Sequence, residues 1–187
     1  MLLKKDNDRI ILFKEPVFKV VELMFNYPNR TFHIRELAKE TRFSTTAIVK
    51  AVNDLKRFRI IKVEKTNLTT NVKADLESEV CRFYKLVSNL YRLERYGLIW
   101  VLKETYKPEA ISIFGSFAKG EDIEESDIDI LIITSKKVYT NNYIDEWERI
   151  FKRKINLHIL PSLEKSSSEF KNAVANGIIL YGYLKVI

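Results

Sequence analysis

The stretch "IFGSFAKGEDIEESDIDILII", Ile113 to Ile133, decides how this chain is read. Six carboxylates crowd into nine of its residues: Glu121, Asp122, Glu124, Glu125, Asp127 and Asp129. The 187-residue chain has a net charge of +7, so this acidic run goes against the trend. "AISIF", which leads into the stretch, and "DIDILIIT", which closes it, read as buried strands. "GSFAKG" reads as a tight turn into a short helix. Alternation along the second strand puts Asp127 and Asp129 on one face, with Ile128, Ile130 and Ile132 on the other. The remaining four carboxylates are expected on a loop, where charge costs little.

Two aspartates at this spacing have Cβ atoms roughly 6–7 Å apart, given the rise of a strand. Unpaired, they repel, and one stays protonated. A divalent cation removes the conflict. Oxygen-only ligands favour Mg²⁺, which takes one or two carboxylates and completes its shell with phosphates. Gly115 permits close backbone approach. The hydroxyl of Ser116 and the N–H groups of a helix start are suited to phosphate oxygens.

The pattern G-S-x10-D-x-D, formed by Gly115, Ser116, Asp127 and Asp129, resembles the polymerase-β-like nucleotidyltransferase superfamily. "GSFAKGE…SDIDILI" is similar to its minimal branch, which includes antitoxin proteins. The resemblance runs from about Glu109 to Tyr181. It implies that Gly115 and Ser116, with Lys119, hold a nucleotide triphosphate, ATP being the expected substrate. It also implies that Asp127 and Asp129 are catalytic and bind two Mg²⁺ ions. Lys119 stands where the branch usually has arginine, which keeps the charge but loses the bidentate fork. Glu121, Asp122, Glu124 and Glu125 have no role in the family pattern.

The family expects a third carboxylate on a later strand, and the matching segment here is "KINLHILP". Ile155, Leu157 and Ile159 face one way, Asn156 and His158 the other. The third catalytic position is therefore Asn156, an amide that brings no charge and takes no proton. His158 is either a base, since its reference pKa of about 6.5 suits neutral pH, or a strand histidine with a local hydrogen bond. In "SSSEFKNAVANG" a capping box from Ser166 to Glu169 opens a helix that Gly177 stops. "IILYGYL" follows as a last strand.

The preceding part of the chain is different. Residues 1–107 hold 22 Lys and Arg against 13 Asp and Glu, and all five glycines lie at Gly97 or beyond. "VFKVVELMFNYPNR" is a helix by the spacing of Val17, Val20, Val21, Met24 and Phe25, with Pro28 ending it. "HIRELAKET" is a second, with Ile34, Leu37 and Ala38 on one face. Ser44 caps a third, "TTAIVKAVNDLKRF". Ile48, Val52 and Leu55 form its apolar stripe. Thr46, Lys50, Asn53 and Arg57 lie opposite and present donors to phosphates and base edges. "IIKVEKTNLTTNVKAD" has two extended arms around a turn. Asn67 begins a glycosylation sequon there, which the absence of other secretory signals sets aside.

This order resembles the winged helix-turn-helix regulators over roughly Val17 to Asp75. The resemblance implies that the helix from Thr45 enters the major groove of duplex DNA, with Thr45, Thr46, Lys50, Asn53 and Arg57 as contacts. A winged helix that serves only protein contacts is the alternative.

The expected domains are a winged helix over 1–75, a linker helix over 76–107 and a minimal nucleotidyltransferase over 108–187. The linker carries Leu76, Val80, Phe83, Val87 and Leu90 at helical spacing, with a break at Gly97, and is a candidate homodimer interface. The fold class is α/β (α+β overall), with a mixed sheet that has helices on one face and the aspartates on the other. No run reaches the ~18 apolar residues of a membrane span. The start, "MLLKKDNDR", lacks a signal-peptide core, and the single Cys81 precludes an internal disulfide, so a cytoplasmic setting is expected. Two functions follow. One is a Mg²⁺-dependent transfer of AMP from ATP to a hydroxyl of a partner protein of the toxin type. The other is a regulator whose transferase domain, lacking the third carboxylate, senses nucleotide or holds a partner.

Overall fold

The computed structural model describes residues 15–66, 69–136 and 144–185. The expectations placed on the opening nine residues and on Asn67 lie outside these. The chain forms two compact units, Met1–Cys81 and Arg82–Ile187.

In the first unit, α1 (Glu15–Asn26) buries Val17, Val20, Val21, Met24 and Phe25, the whole of its expected stripe. A two-residue strand, β1 (Phe32–His33), leads directly into α2 (Ile34–Thr41). Arg42, at a left-handed φ of 61°, turns the chain towards α3 (Thr45–Arg57). Ser44 caps α3, its Oγ accepting from the N–H of Ala47 at 3.2 Å. Ile48, Val52 and Leu55 hold α3 to the core and are all but fully buried. Then β2 (Ile61–Lys65) and β3 (Thr70–Ala74) pair antiparallel, from Ile61 opposite Ala74 to Lys65 opposite Thr70. β1 adds a third strand, pairing Phe32 with Val72. Two residues are too few to show a period of two, so β1 left no mark in the sequence pattern. Three helices and this small sheet make a winged helix-turn-helix.

Helix α4 (Glu79–Arg95) begins at the end of the first unit and lies mostly in the second. Gly97, at φ 74°, separates it from α5 (Leu98–Tyr106). The second unit continues with β4 (Ala110–Phe114), a single 3₁₀ turn (Phe117–Lys119), β5 (Ile128–Ile133), α6 (Ile144–Phe151), β6 (Ile155–Leu160), α7 (Ser168–Ala175) and β7 (Ile178–Gly182). The strand order is β6-β5-β4-β7. β5 and β6 run parallel, and β4 is antiparallel to both β5 and β7, which makes the sheet mixed.

The isoleucine face of this sheet is the main core. Ile111, Ile113, Ile128, Ile130 and Ile132 pack with Leu93, Leu98 and Leu102 of α4 and α5 and with Trp147 and Phe151 of α6. Each such side chain contributes roughly 1.5–3 kcal/mol by leaving water. The opposite face has a smaller cluster, where Phe114, Leu131 and Ile133 meet Leu163, Val174 and Leu184. Asp129 stands on that face of β5, beside Phe114, whereas Asp127, expected on the strand, immediately precedes its first residue, Ile128.

Two local expectations change. The stretch read as a linker supplies part of the second unit's core, because Leu93, Leu98, Ile99 and Leu102 cover the sheet. Of its expected apolar stripe, Val80 is 40% and Phe83 59% exposed. The face of α4 that is buried carries Lys85, Ser88, Asn89 and Arg92. The cap of α7 is Ser167, whose Oγ accepts from the N–H of Phe170 at 3.2 Å, one residue beyond the expected Ser166 box.

Candidate active site and nucleic-acid face

Parallel pairing of β5 with β6 sets Asp129 opposite Asn156. Antiparallel pairing of β4 with β5 sets Phe114, the neighbour of Gly115, opposite Asp129. Three segments distant in sequence thus meet at one carboxylate. The amide nitrogen of Asn156 donates to Oδ2 of Asp127 at 3.1 Å and to Oδ1 of Asp129 at 3.2 Å. It bridges the two acids and so offsets their mutual repulsion.

Gly115 lies under the same group. Its φ is 75°, and a Cβ there would stand 2.9 Å from Oδ2 of Asp129. Both the backbone angle and the space call for glycine. Ser116 follows at the start of the 3₁₀ turn, half-buried, with a carbonyl that accepts from the N–H of Lys119 and of Glu121 at 3.1 and 3.0 Å. Lys119 is exposed at the end of the turn. His158 sits between the rings of Phe114 and Phe170, with centroids at 5.1 and 5.3 Å, and its Nε2 is 3.4 Å from Oδ1 of Asp129. Geometry therefore gathers Gly115, Asp127, Asp129, Asn156 and His158 at one place, with Ser116 adjoining.

Not all the other carboxylates are on a solvated loop. Glu121 and Glu125 are exposed, but Asp122 is only 2% exposed. It pairs with Lys85, and with Arg153 at 3.3 Å. Burial of Asp122 is affordable only because both cations and the amide of Asn89 face it. The signal was present in the sequence as Lys85, Asn89 and Arg92 on one side of a helix. It was hidden because polar groups at helical spacing ordinarily mark the solvent side. A cleft of about 820 Å³ opens beside the pair and includes Asp127, between Glu124 and Glu125 on one side and Asp145, Arg149 and Lys152 on the other. Glu148, which also lines it, accepts from the N–H of Ile155 at 3.0 Å and pairs with Lys154 at 2.9 Å. These bonds, the backbone one first, hold its carboxyl below the usual glutamate range.

In the first unit, Thr45, Thr46, Lys50, Asn53 and Arg57 are all exposed along α3. The guanidinium of Arg57 lies 5.5 Å from the ring of Phe58. Val49, which the sequence reading did not single out, is 42% exposed beside them. With Thr45, His33, Arg35, Thr69 and Thr70 it lines a hollow of about 510 Å³ between the starts of α2 and α3 and the turn end of the β2–β3 hairpin.

Residues 97–184 match the family described as "Polymerase beta, Nucleotidyltransferase". The C-terminal part of the chain carries a nucleotidyltransferase domain of that family. Among its relatives is "Putative protein adenylyltransferase MJ1379" of Methanocaldococcus jannaschii, 39% identical over an alignment of 62 residues that covers 30% of this chain and 62% of that protein. "Putative protein adenylyltransferase MJ0126" of the same organism is 64% identical over 31 residues, 17% of this chain and 32% of that protein. The matches thus span less than two thirds of these relatives' lengths. Among solved structures, "Reduced HlyU from Vibrio cholerae N16961" aligns at 15% identity and a TM-score of 0.32, over 51% of this chain and 80% of that one. The Lactococcus lactis ZitR C30AH42A mutant aligns at 16% identity and a TM-score of 0.36, over 53% of this chain and 67% of that one. Among the described residues, no helix is long and apolar enough to cross a membrane.

Proposed function

We propose that this chain is a nucleotidyltransferase that moves AMP from ATP to a hydroxyl of a partner protein and carries a DNA-binding head. The observation behind it is the meeting of Gly115, Asp127, Asp129 and Asn156 at one point. The names of the relatives favour protein as acceptor.

Mg²⁺ fits the donors present. Among the described residues, no three of His, Cys, Asp and Glu gather as a metal cluster. A cation here would be held by the carboxylates of Asp127 and Asp129, with its remaining positions left to phosphate oxygens and water, the habit of Mg²⁺. When bound, two such ions neutralise phosphate charge and activate the attacking hydroxyl. Gly115 leaves room for phosphates to approach, Ser116 and Lys119 would hold them, and Asp127 and Asp129 would hold the metal. Asn156, whose amide nitrogen now donates to both acids, would have its amide oxygen to offer such a cation.

The amide bridge also favours a second reading. A neutral third ligand weakens hydroxyl activation more than nucleotide binding. The domain would then bind ATP and turn over slowly, as a sensor or a partner-holding module. In either case the partner is a protein of the toxin type, the assembly a homodimer and the setting cytoplasmic. The exposed polar face of α3 supports regulation through duplex DNA.

The test is incubation with Mg²⁺ and α-labelled ATP, alone and with proteins encoded beside this one. Label on a protein hydroxyl supports the enzyme, and Asp129→Ala should abolish it. Mg²⁺-dependent ATP binding without label supports the second reading. Loss of both would end the nucleotide assignment.

A further inference from the structure

Asp122 is buried while its neighbours Glu121 and Ile123 are exposed. Its Oδ1 takes the ammonium of Lys85 and, at 2.9 Å, the amide of Asn89. Its Oδ2 takes Arg153 at 3.3 Å, and its main-chain carbonyl also accepts from Lys85. Lys85 is 0% and Arg153 5% exposed. Ions this deep recover their hydration only through good geometry, and apolar residues of like volume usually serve stability as well. Stability alone is therefore a poor reason for the cluster.

Its connections supply a better one. Asp122 closely follows the Gly115–Gly120 turn. Asn89 also donates to the carbonyl of Phe117 inside that turn at 3.1 Å. Gly120 lies so near α4 that a Cβ would stand 2.3 Å from the carbonyl oxygen of Arg82 and 2.8 Å from the nitrogen of Leu86. Arg153 comes three residues before Asn156. One carboxylate thus ties the turn, the helix beneath it and the start of β6.

We infer that Asp122, with Lys85, Asn89 and Arg153, is a positioning cluster that fixes the Gly115–Gly120 turn against the strand of Asn156, at the spacing a nucleoside triphosphate needs. The inference rests on the nucleotide-site reading above. None of the four touches the phosphates. They act through the turn.

The test uses the full chain. Lys85→Met/Asp122→Leu/Arg153→Met removes the three charges at similar volume and is expected to melt cooperatively. Asn89→Ala cuts only the ties to Phe117 and Asp122 and serves should the triple variant not fold. Hydrogen exchange reads the amides of Lys119, Gly120 and Glu121, which bond within the turn. They should exchange at least about tenfold faster in the triple variant, while β4 and β5 keep their protection. MgATP affinity, by calorimetry well below the melting temperature, should fall about tenfold or more, as when an outer-shell partner is lost. Asn89→Ala should move both in the same direction by less. Native-like exchange in a folded variant overturns the inference, and so does faster exchange with unchanged MgATP affinity. If the native chain itself binds no MgATP, the nucleotide-site reading falls, and with it the assignment of the cluster to a triphosphate. Unchanged exchange with intact native binding defeats the cluster alone.

Discussion

Gly115 and Asp129 are in such close contact that a methyl group on the glycine would stand 2.9 Å from the carboxylate. The turn that is read as holding phosphate and the acid read as holding metal are therefore one construction. Gly115→Ala should cost about 1–2 kcal/mol of stability from the left-handed backbone alone. It should also push Asp129 aside and weaken Mg²⁺-dependent ATP binding about tenfold or more. Chemical denaturation and calorimetry measure the two effects separately. Unchanged ATP affinity in a folded Gly115→Ala would break the link between turn and acid.

Asn156 bridges two acids with one amide. Asn156→Asp replaces that donor by a third carboxylate. Without a divalent ion the variant should melt below the native chain, since three acids now face each other. With Mg²⁺ the order should narrow or reverse. Transfer should rise at least about tenfold, which is about 1.4 kcal/mol of barrier. If His158 is the base, a different pattern is expected: native activity is already present, His158→Ala loses it, and Asn156→Asp changes little. Brisk native transfer that survives His158→Ala would defeat both accounts.

The α3 face should bind duplex DNA with an affinity that falls steeply as salt rises, because bound counterions are released. Lys50→Glu should weaken that binding more than Lys171→Glu, which makes the same change of charge on α7 in the other unit. Mobility shifts across a salt series, on DNA upstream of the chain's own gene, give the slope. Salt-insensitive binding would remove the regulator reading.

Glu148 anchors the first residue of β6 and has a lowered pKa in the folded chain. The sign follows. A carboxyl that is more acidic when folded stabilises above its unfolded pKa of about 4.3 and loses that contribution as pH falls through the folded value. Glu148→Gln should therefore be less stable than the native chain near neutral pH. The gap should close below about pH 4. Thermal melts from pH 7 to pH 3 decide it, and a gap that stays constant would show the carboxylate's charge to be irrelevant.

Sequence spacing by itself determined most of what is periodic or contiguous. The stripe of α1, the cap at Ser44, the arms of the wing and the placing of Asp129 opposite to the isoleucine face of β5 are short-range patterns, set by steric and hydrogen-bonding rules within a few residues. The pairing of Asn156 with the two acids was legible as well, through the resemblance. Tertiary structure decided the rest. β1 exists only because β3 offers it a partner. The polar side of α4 is buried because Asp122, far along the chain, neutralises Lys85 there. A local pattern cannot announce a charge that arrives from 37 residues away, and burial of an ion depends on that arrival rather than on the helix that carries it.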